Sequence, residues 1–197
     1  MVEELLLDRT RAQLRADLRA RRAALKPGER LAAADAVARH LGGREELRQP
    51  GYVGGYWAVN GELPLHAVQL RLAPGQVWCL PVVQADGGLR FAPWRAGDPL
   101  VPNRFGIPEP DAAVTLAPQE LSLVLLPLLG FDRRGARLGM GGGYYDRAFA
   151  FRQQQPAPPH LVGVGYACQE LPALPAEAWD VHLDGVATED GFLAIGR

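Results

Sequence analysis

Residues 121–147 read LSLVLLPLLGFDRRGARLGMGGGYYDR, an apolar run that leads into a glycine-rich segment. The run from Leu121 to Leu126 predicts a buried strand, because it is short, continuous and apolar. A loop over residues 127–143 is expected next, followed by a helix from about Tyr144 to Gln153 and an apolar strand from Leu161 to Tyr166. A strand, a helix and a second strand in this order predict a β-α-β unit and a parallel sheet.

A second β-α-β unit is predicted upstream. Tyr52 to Val59 and Val77 to Val83 are rich in residues that favour strands, and Leu63 to Leu72 between them fits a helix. Leu89 to Trp94 predicts a short strand after a tight turn. The segment from Phe105 to Pro110 contains two prolines, which exclude regular strand pairing, so it is expected to be an ordered loop or an extended segment.

Two helices are expected before the first strand. Leucines at 5, 7, 14, 18 and 25 alternate with arginines at helical spacing, which predicts a long amphipathic helix from Glu3 to about Leu25 with one basic face. Leu31 to Leu41 is alanine-rich and ends at two glycines. The fold class is therefore α/β, a three-layer α/β/α arrangement with a largely parallel or mixed central sheet. Because no repeat or linker is visible, residues 1–197 are expected to form one domain.

The composition excludes several classes of protein. A net charge of -1 at pH 7 provides no global positive field, so neither nucleic acid nor a membrane is an expected partner. The two cysteines and four histidines show neither zinc spacing nor the pattern of a nucleophile with its base. An acidic start and the lack of an apolar run of roughly 20 residues predict a cytoplasmic protein.

Lysine chemistry is nearly excluded as well. Lys26 is the only lysine among 21 basic residues, and it precedes Pro27-Gly28 in a predicted turn. A Walker A loop or a Schiff-base enzyme needs an ammonium group at a defined place. Any phosphate must therefore be held by guanidinium groups and main-chain amides.

The glycine-rich segment predicts a phosphate-binding loop, because it follows a buried strand and opens a helix, where amides of glycines can converge on an anion. On the glycines alone, a tight turn without a ligand remains an equal alternative. Arg137 and Asp146 favour the phosphate site, since guanidinium binds phosphate and a carboxylate could hold a magnesium ion. A dinucleotide-binding motif is disfavoured, because position 144 is not glycine.

The segment Gly130-Phe131-Asp132, Gly135 and residues 137–147 resemble the signature of the 5-formyltetrahydrofolate cyclo-ligase family, also called 5,10-methenyltetrahydrofolate synthetase. Other segments that resemble the family extend over nearly the whole chain, at residues 11–15, 61–62, 105–110, 162–169, 174–175, 179–180 and 186–188. The resemblance implies a NagB/RpiA/CoA-transferase-like fold. It also implies ATP as co-substrate, Mg²⁺ as cofactor, and a reaction that yields 5,10-methenyltetrahydrofolate, ADP and phosphate from 5-formyltetrahydrofolate. The formyl oxygen attacks the γ-phosphate, and nitrogen 10 then closes the ring as phosphate leaves.

The same resemblance implies roles for individual residues. Arg137 and Tyr145 are the expected catalytic residues, and Asp146 and Asp184 the expected magnesium ligands, with Asp180 a weaker acidic candidate. The residues expected to bind ATP are Arg11, Arg15, Arg137, Leu138, Gly139, Met140, Gly141, Gly142, Gly143, Tyr144 and Tyr145. Those expected to bind folate are Trp57, Glu62, Phe105 and Tyr145, with Glu62 accepting hydrogen bonds from the pterin edge.

This sequence departs from the family at three places. Family members commonly carry lysine where Arg11 stands, and some carry basic residues where Met140 and Gly142 stand. Arg15, Arg137 and the metal are therefore expected to take a larger share of the phosphate contacts.

Two other functions stay open from the residues alone. A non-catalytic nucleotide-binding or folate-binding module could keep the phosphate loop. A sugar-phosphate isomerase or acyl-CoA transferase could share the fold, although the lysine or glutamate centre that it needs is not evident. A monomer or a weak homo-oligomer is expected.

Overall fold

This computed structural model describes residues 10–196 of the chain. These residues contain eleven strands and four α-helices, joined by loops and short 3₁₀ turns. The strands are β1 (Gly51–Gly54), β2 (Gln76–Val83), β3 (Leu89–Pro93), β4 (Leu100–Pro102), β5 (Pro108–Pro110), β6 (Leu121–Pro127), β7 (Gly130–Phe131), β8 (Arg137–Leu138), β9 (His160–Val164), β10 (Gly185–Thr188) and β11 (Gly191–Ala194). The helices are α1 (Arg11–Ala23), α2 (Pro27–Gly42), α3 (His66–Gln69) and α4 (Tyr144–Ala148). Within these residues, no helix is both long enough and apolar enough to cross a membrane.

Seven of the strands form one sheet in the order β11-β10-β9-β6-β1-β2-β3. The five inner strands, from β10 to β2, run parallel to one another, whereas β3 and β11 pair antiparallel at the two edges. The predicted largely parallel or mixed sheet is therefore confirmed. The other strands form two short ladders, β4 with β5 and β7 with β8.

The sheet is buried on both faces, as a layered α/β fold requires. Along β6, Leu123 and Leu125 belong to one buried cluster together with Val37 of α2. Val124, between them, belongs to a second cluster together with Phe149, which directly follows α4. Neighbouring strand residues point to opposite faces, so the two clusters are the two cores. Each fully buried side chain of this size stabilises the fold by roughly 1.5–3 kcal/mol.

The first two helices start at local capping signals. At α1, the Thr10 side chain accepts a hydrogen bond from the Gln13 amide, and the Gln13 side chain accepts one from the Thr10 amide. The predicted first turns of this helix, from Glu3 to residue 9, lie outside the described residues. Helix α2 begins at Pro27, four residues before the predicted start, because proline fits the first helical position without losing a hydrogen bond.

Two predicted elements are shorter than expected. The strand predicted to reach Val59 ends at Gly54, since the chain turns away where Gly55 passes against the Trp78 ring. The helix predicted from Leu63 to Leu72 is reduced to α3, which lies between Pro64 and Pro74. Prolines cannot supply the main-chain donors of a helix interior, so only one turn forms.

Two further expectations were wrong in detail, and two strands of the main sheet were not predicted. Pro108 to Pro110 does pair with a neighbouring strand, in a ladder only three residues long, because prolines are tolerated at sheet edges. The helix predicted to reach Gln153 changes to a 3₁₀ turn after Ala148. The strands β10 and β11 were not predicted, because each is only four residues long and bounded by a glycine.

The close approach of Gly55 to Trp78 gives a test of the core. A Cβ atom at Gly55 would lie 2.0 Å from the Trp78 ring, so Gly55→Ala should lower the free energy of unfolding by about 1–3 kcal/mol. The control is Gly28→Ala in α2, where a Cβ atom meets nothing within 4 Å and should stabilise by about 0.5–1 kcal/mol. Urea denaturation measures both, and equal midpoints for the two variants would contradict this packing.

Candidate active site

A cleft of about 380 Å³ opens at the carboxyl ends of β1 and β6. The sheet grows from β1 towards β2 on one side and from β6 towards β9 on the other. Ligands of open α/β sheets bind at such a switch point. Six parts of the chain line the cleft: Arg11 and Arg15; Glu62; Ile107; Pro127 and Leu128; Arg137 and residues 139–146; and Glu177, Trp179 and Asp180.

The glycine-rich segment enters the cleft directly from the β7–β8 hairpin. Asp132, which is fully buried, organises this hairpin by accepting hydrogen bonds from the amides of Arg134, Ala136 and Leu174. Beyond the hairpin, Gly141 and Gly143 have φ angles of 106° and 65°, which side-chain-bearing residues rarely adopt. Since α4 has only five residues, its dipole is small, and the positive charge of the site must come from side chains.

Helix α1 supplies two of those charges from above the loop. The Arg15 Nε donates to the Gly139 carbonyl oxygen at 2.9 Å, and Arg11 binds Asp180 at 2.6 Å. On the underside of the same helix, Leu14 and Leu18 are buried against Leu138. Burial lowers the pKa of Arg15, and the nearby Arg11 and Arg19 lower it further. Like charges held together in this way are stabilised by an anion.

Arg137 contributes a third guanidinium from the floor of the cleft. Its Nη2 donates to the Asp146 Oδ1 at 2.6 Å, and the Val181 amide donates to the same oxygen at 3.3 Å. The Arg137 side chain is only 5% exposed, and its buried Nε has no acceptor among the described residues. Asp146 thus fixes the orientation of Arg137.

Two adjacent tyrosines close one side of the cleft. Burial and the nearby Glu62 raise the pKa of Tyr145, so its phenol stays protonated at neutral pH and can only act there as a hydrogen-bond donor or acceptor. Tyr144 is held from outside, where Arg104 donates to its hydroxyl and Phe105 contacts its ring edge-on at 5.7 Å.

Glu62 faces the cleft from the loop after β1. Its Oε2 accepts a hydrogen bond from the Val59 amide at 3.0 Å. Burial raises the pKa of this carboxyl group, whereas the Val59 amide and the charge of Arg22 lower it. A partly desolvated carboxylate in this position can accept hydrogen bonds from paired N–H donors of a ligand.

The structure brings most of the predicted site residues together and leaves four out of the cleft lining. Leu138 is buried in the core below the loop, so only its main chain can reach a ligand. Trp57 packs edge-on against Trp94 at 5.9 Å. Phe105, which is 55% exposed, packs on Tyr144. The folate-binding roles of these two aromatic residues stay predictions.

Asp184 is the fourth, and its carboxylate has other partners. It forms an ion pair with the buried Arg152 at 2.7 Å and accepts a hydrogen bond from the Leu161 amide at 2.8 Å. Both oxygens of the Asp184 carboxylate accept hydrogen bonds from Arg152 Nη2, and Asp184 does not line the cleft. This geometry therefore does not favour Asp184 as a second magnesium ligand beside Asp146. The sequence could not reveal this, because Arg152 lies 32 residues away and arginines are frequent in the chain.

Some lining residues were missed. Ile107 and Leu128 are ordinary apolar residues in the sequence, although Leu128 could have been suggested by its place just after the predicted strand β6. Glu177 and Trp179 precede the weaker candidate Asp180 in the sequence. Trp179 is 65% exposed although it is a large aromatic residue, and only the structure shows that it stands at the cleft.

The cleft fits a magnesium ion that arrives with phosphate groups. Among residues 10–196, no cluster of three or more histidine, cysteine, aspartate or glutamate side chains could hold a metal by itself. Mg²⁺ is commonly bound by one or two carboxylates together with substrate phosphates. Asp146 supplies such a carboxylate, and both of its hydrogen bonds described above go to Oδ1.

Comparison with known proteins gives a consistent result. The model of the 5-formyltetrahydrofolate cyclo-ligase family matches residues 8–189. The chain is 35% identical to the 5-formyltetrahydrofolate cyclo-ligase of Haemophilus influenzae over 178 residues, which covers 88% of this chain and 94% of the relative. It is 34% identical to the enzyme of that name from Escherichia coli strain K12 over 177 residues, 87% of this chain and 96% of the relative.

Solved structures agree with the sequence matches. The NMR structure of Aquifex aeolicus 5,10-methenyltetrahydrofolate synthetase superposes with a TM-score of 0.80 at 27% identity, covering 95% of this chain and 94% of that one. A 5,10-methenyltetrahydrofolate synthetase from Mycoplasma pneumoniae superposes with a TM-score of 0.71 at 21% identity, covering 92% of this chain and 99% of that one. The second match supports the fold alone.

The Arg152–Asp184 pair can be tested independently of catalysis. Asp184→Ala leaves the buried Arg152 guanidinium without its carboxylate, so it should lower the free energy of unfolding by roughly 3–5 kcal/mol. Urea denaturation in the presence of a chelator measures this loss without any metal. The control is Asp35→Ala, which breaks an exposed pair with Arg71 and should cost less than about 1 kcal/mol. A normal unfolding midpoint for Asp184→Ala would instead favour a role outside the core.

Proposed function

This chain belongs to the 5-formyltetrahydrofolate cyclo-ligase family, and on that premise we propose that it is an ATP-dependent ligase that converts 5-formyltetrahydrofolate to 5,10-methenyltetrahydrofolate with release of ADP and phosphate. The observation that carries the proposal is the composition of one cleft. Three guanidinium groups and a glycine-rich loop meet a half-buried carboxylate and a phenol there. The guanidinium groups and the loop suit a triphosphate, and the carboxylate and the phenol suit the polar edge of a pterin.

The chemistry explains the need for ATP. A formamide carbonyl is a weak electrophile, and its oxygen cannot leave unaided. Attack of that oxygen on the γ-phosphorus breaks the bond to ADP and leaves a phosphorylated formyl group. Nitrogen 10 then attacks the formyl carbon and loses its proton to solvent or to the departing phosphate. The bond from carbon to the phosphorylated oxygen breaks, and phosphate departs with that oxygen. The protein contributes by holding both substrates in line and by neutralising phosphate charge.

We assign the phosphate contacts to Arg11, Arg15, Arg137 and main-chain groups of residues 138–145. Asp180 and the Gly139 carbonyl orient the first two arginines, and Asp146 orients the third. Guanidinium groups held before the reaction begins stabilise charge that develops on the transferred group without reorganisation. Arg137 and Tyr145 are the proposed catalytic residues. The phenol of Tyr145 donates a hydrogen bond and does not act as a base, because its pKa is raised.

Asp146 is the residue we assign to hold Mg²⁺. When bound, Mg²⁺ would neutralise charge on phosphate oxygens. Asp184 as a second ligand remains a prediction that its pairing with Arg152 disfavours. For the folate we assign Glu62 and Tyr145, which approach the cleft from two different elements. We further propose that the protein works in the cytoplasm as one domain and as a monomer or a weak homo-oligomer.

The proposed reaction is tested by mixing the purified protein with 5-formyltetrahydrofolate, ATP and Mg²⁺ and following the absorbance of methenyltetrahydrofolate. Product should form only when all three are present. Tight binding of both substrates without product would contradict the enzyme and would favour a binding module.

Arg137→Ala tests the phosphate site within the same assay. Loss of one preorganised donor at developing charge lowers turnover by about 10²–10³-fold, and we expect a loss of that size in kcat/KM for ATP. The control is Arg133→Ala, which removes an exposed arginine of the neighbouring turn paired with Glu170 and should leave kcat/KM within about twofold. Equal activity of the two variants would contradict a role for Arg137 in phosphate binding.

A further inference from the structure

The carboxylate of Glu62 stands on a tight turn with unusual main-chain angles. The Glu62 amide donates to the Val59 carbonyl oxygen at 3.0 Å, and the two residues between them, Asn60 and Gly61, have φ angles of 52° and 78°. Positive φ at both central positions is typical of a type I′ turn, for which Asn-Gly is a favoured sequence. The turn fixes the direction in which Glu62 leaves the main chain.

Arg22 supports this turn from the interior. It belongs to α1, the helix that also carries Arg11 and Arg15, and it is only 2% exposed. Its Nη2 donates to the Asn60 carbonyl oxygen at 2.8 Å. The end of α1 is itself anchored, because Arg30 donates to the Arg22 carbonyl oxygen at 3.0 Å. One helix therefore reaches the phosphate loop at its start and the Glu62 turn at its end.

The charge of Arg22 also acts on the carboxyl group of Glu62. This charge lowers the pKa of the Glu62 carboxyl group, against the burial that raises it. The other ionisable groups that interact with Glu62 are the phenols of Tyr56 and Tyr145, and burial raises the pKa of both. Neither phenol ionises in the range where a carboxylate titrates. Arg30 also lies against the turn, since its Nη1 would be 2.7 Å from a Cβ atom at Gly61, and the three guanidinium groups of the cleft face the same space as Glu62. Among these cations, Arg22 is the one whose charge lowers the pKa of Glu62.

Packing alone does not account for an arginine at this position. The Arg22 Nη1 is buried and has no hydrogen-bond acceptor among the described residues. The hydroxyl oxygen of the nearby Tyr166 is likewise buried without a hydrogen-bond partner among these residues. An unsatisfied buried donor opposes folding, so this guanidinium group does not stabilise the fold through every donor that it buries.

We propose that Arg22 is a positioning residue for folate binding, which holds the Val59–Glu62 turn through Asn60 and supplies the buried positive charge opposite Glu62. The proposal rests on the proposed function, because it takes Glu62 as a folate contact. Arg22 itself does not line the cleft, so it acts through the turn.

The sign of its pH dependence follows from the charges. Glu62 binds paired N–H donors only as a carboxylate. Removal of the Arg22 charge leaves only the Val59 amide to oppose the effect of burial, so the pKa of Glu62 rises. As the pH falls, a variant with an uncharged residue at position 22 should therefore lose folate binding at a higher pH than the wild type does. The ratio of the variant's KM for folate to that of the wild type should be largest at acidic pH and should decrease as the pH rises.

The test compares Arg22→Gln, Arg22→Lys and the exposed control Arg21→Gln with the wild type. Glutamine keeps a polar side chain but is two bonds shorter than arginine and carries no charge, whereas lysine keeps the charge. For Arg22→Gln we expect the KM for 5-formyltetrahydrofolate to rise at least about tenfold at neutral pH, with the KM for ATP within about twofold. Arg22→Lys should keep the wild-type pH profile, and Arg21→Gln should match the wild type throughout.

The proposal is overturned if Arg22→Gln leaves the folate KM unchanged, raises both KM values together, or raises the folate KM equally at every pH. A wild-type protein that makes no product speaks against the proposed function instead. In that case calorimetric titration of 5-formyltetrahydrofolate into the same variants measures the same pH-dependent loss of affinity.

Discussion

The docking of α1 on the glycine-rich loop is the contact on which the arrangement of the site depends. This helix makes no strand-type hydrogen bonds to the sheet, so its place is set by side chains. Leu14 and Leu18 bury its underside against Leu138, and Arg15 and Arg11 bind the Gly139 carbonyl oxygen and Asp180. If the helix lay elsewhere, the cleft would lose two of its three guanidinium groups and the support of the Glu62 turn.

Arginine serves both structure and chemistry in this chain. Arg22 and Arg152 are buried, and each bonds to a main-chain carbonyl oxygen. Arg137, which is almost as buried, contacts Asp146 at the end of the glycine-rich loop. A guanidinium group is more weakly hydrated than an ammonium group and offers five donors in a fixed plane, so it can be buried while it binds several acceptors at once. With a single lysine in the sequence, the site has to be built from such groups.

The sequence predicted the central part of the fold and most of the cleft because both depend on local patterns. Strand β6 was recognisable as a continuous apolar run, and residues 137–147 carry the glycines, the arginine and the aspartate of the loop in one segment. The direction of a single side chain is a different matter. Whether Trp57 or Phe105 faces a ligand depends on neighbours such as Trp94 and Tyr144, which are distant in sequence. Asp184 was predicted as a metal ligand from its place in the family resemblance, and its sequence neighbours give no sign that a buried arginine pairs with it. Asn60-Gly61, in contrast, is a local signal for the turn that presents Glu62, and it could have been read from the sequence.

Hydrogen–deuterium exchange of the main-chain amides, with and without ATP, tests most directly whether α1 and the glycine-rich loop bind phosphate as one unit. ATP should slow exchange in residues 11–23 and in residues 137–147 together, whereas AMP, which lacks the two outer phosphates, should leave residues 11–23 unchanged. Protection of the loop by ATP with no change in α1 would contradict the account, because the helix would then have no part in holding the triphosphate.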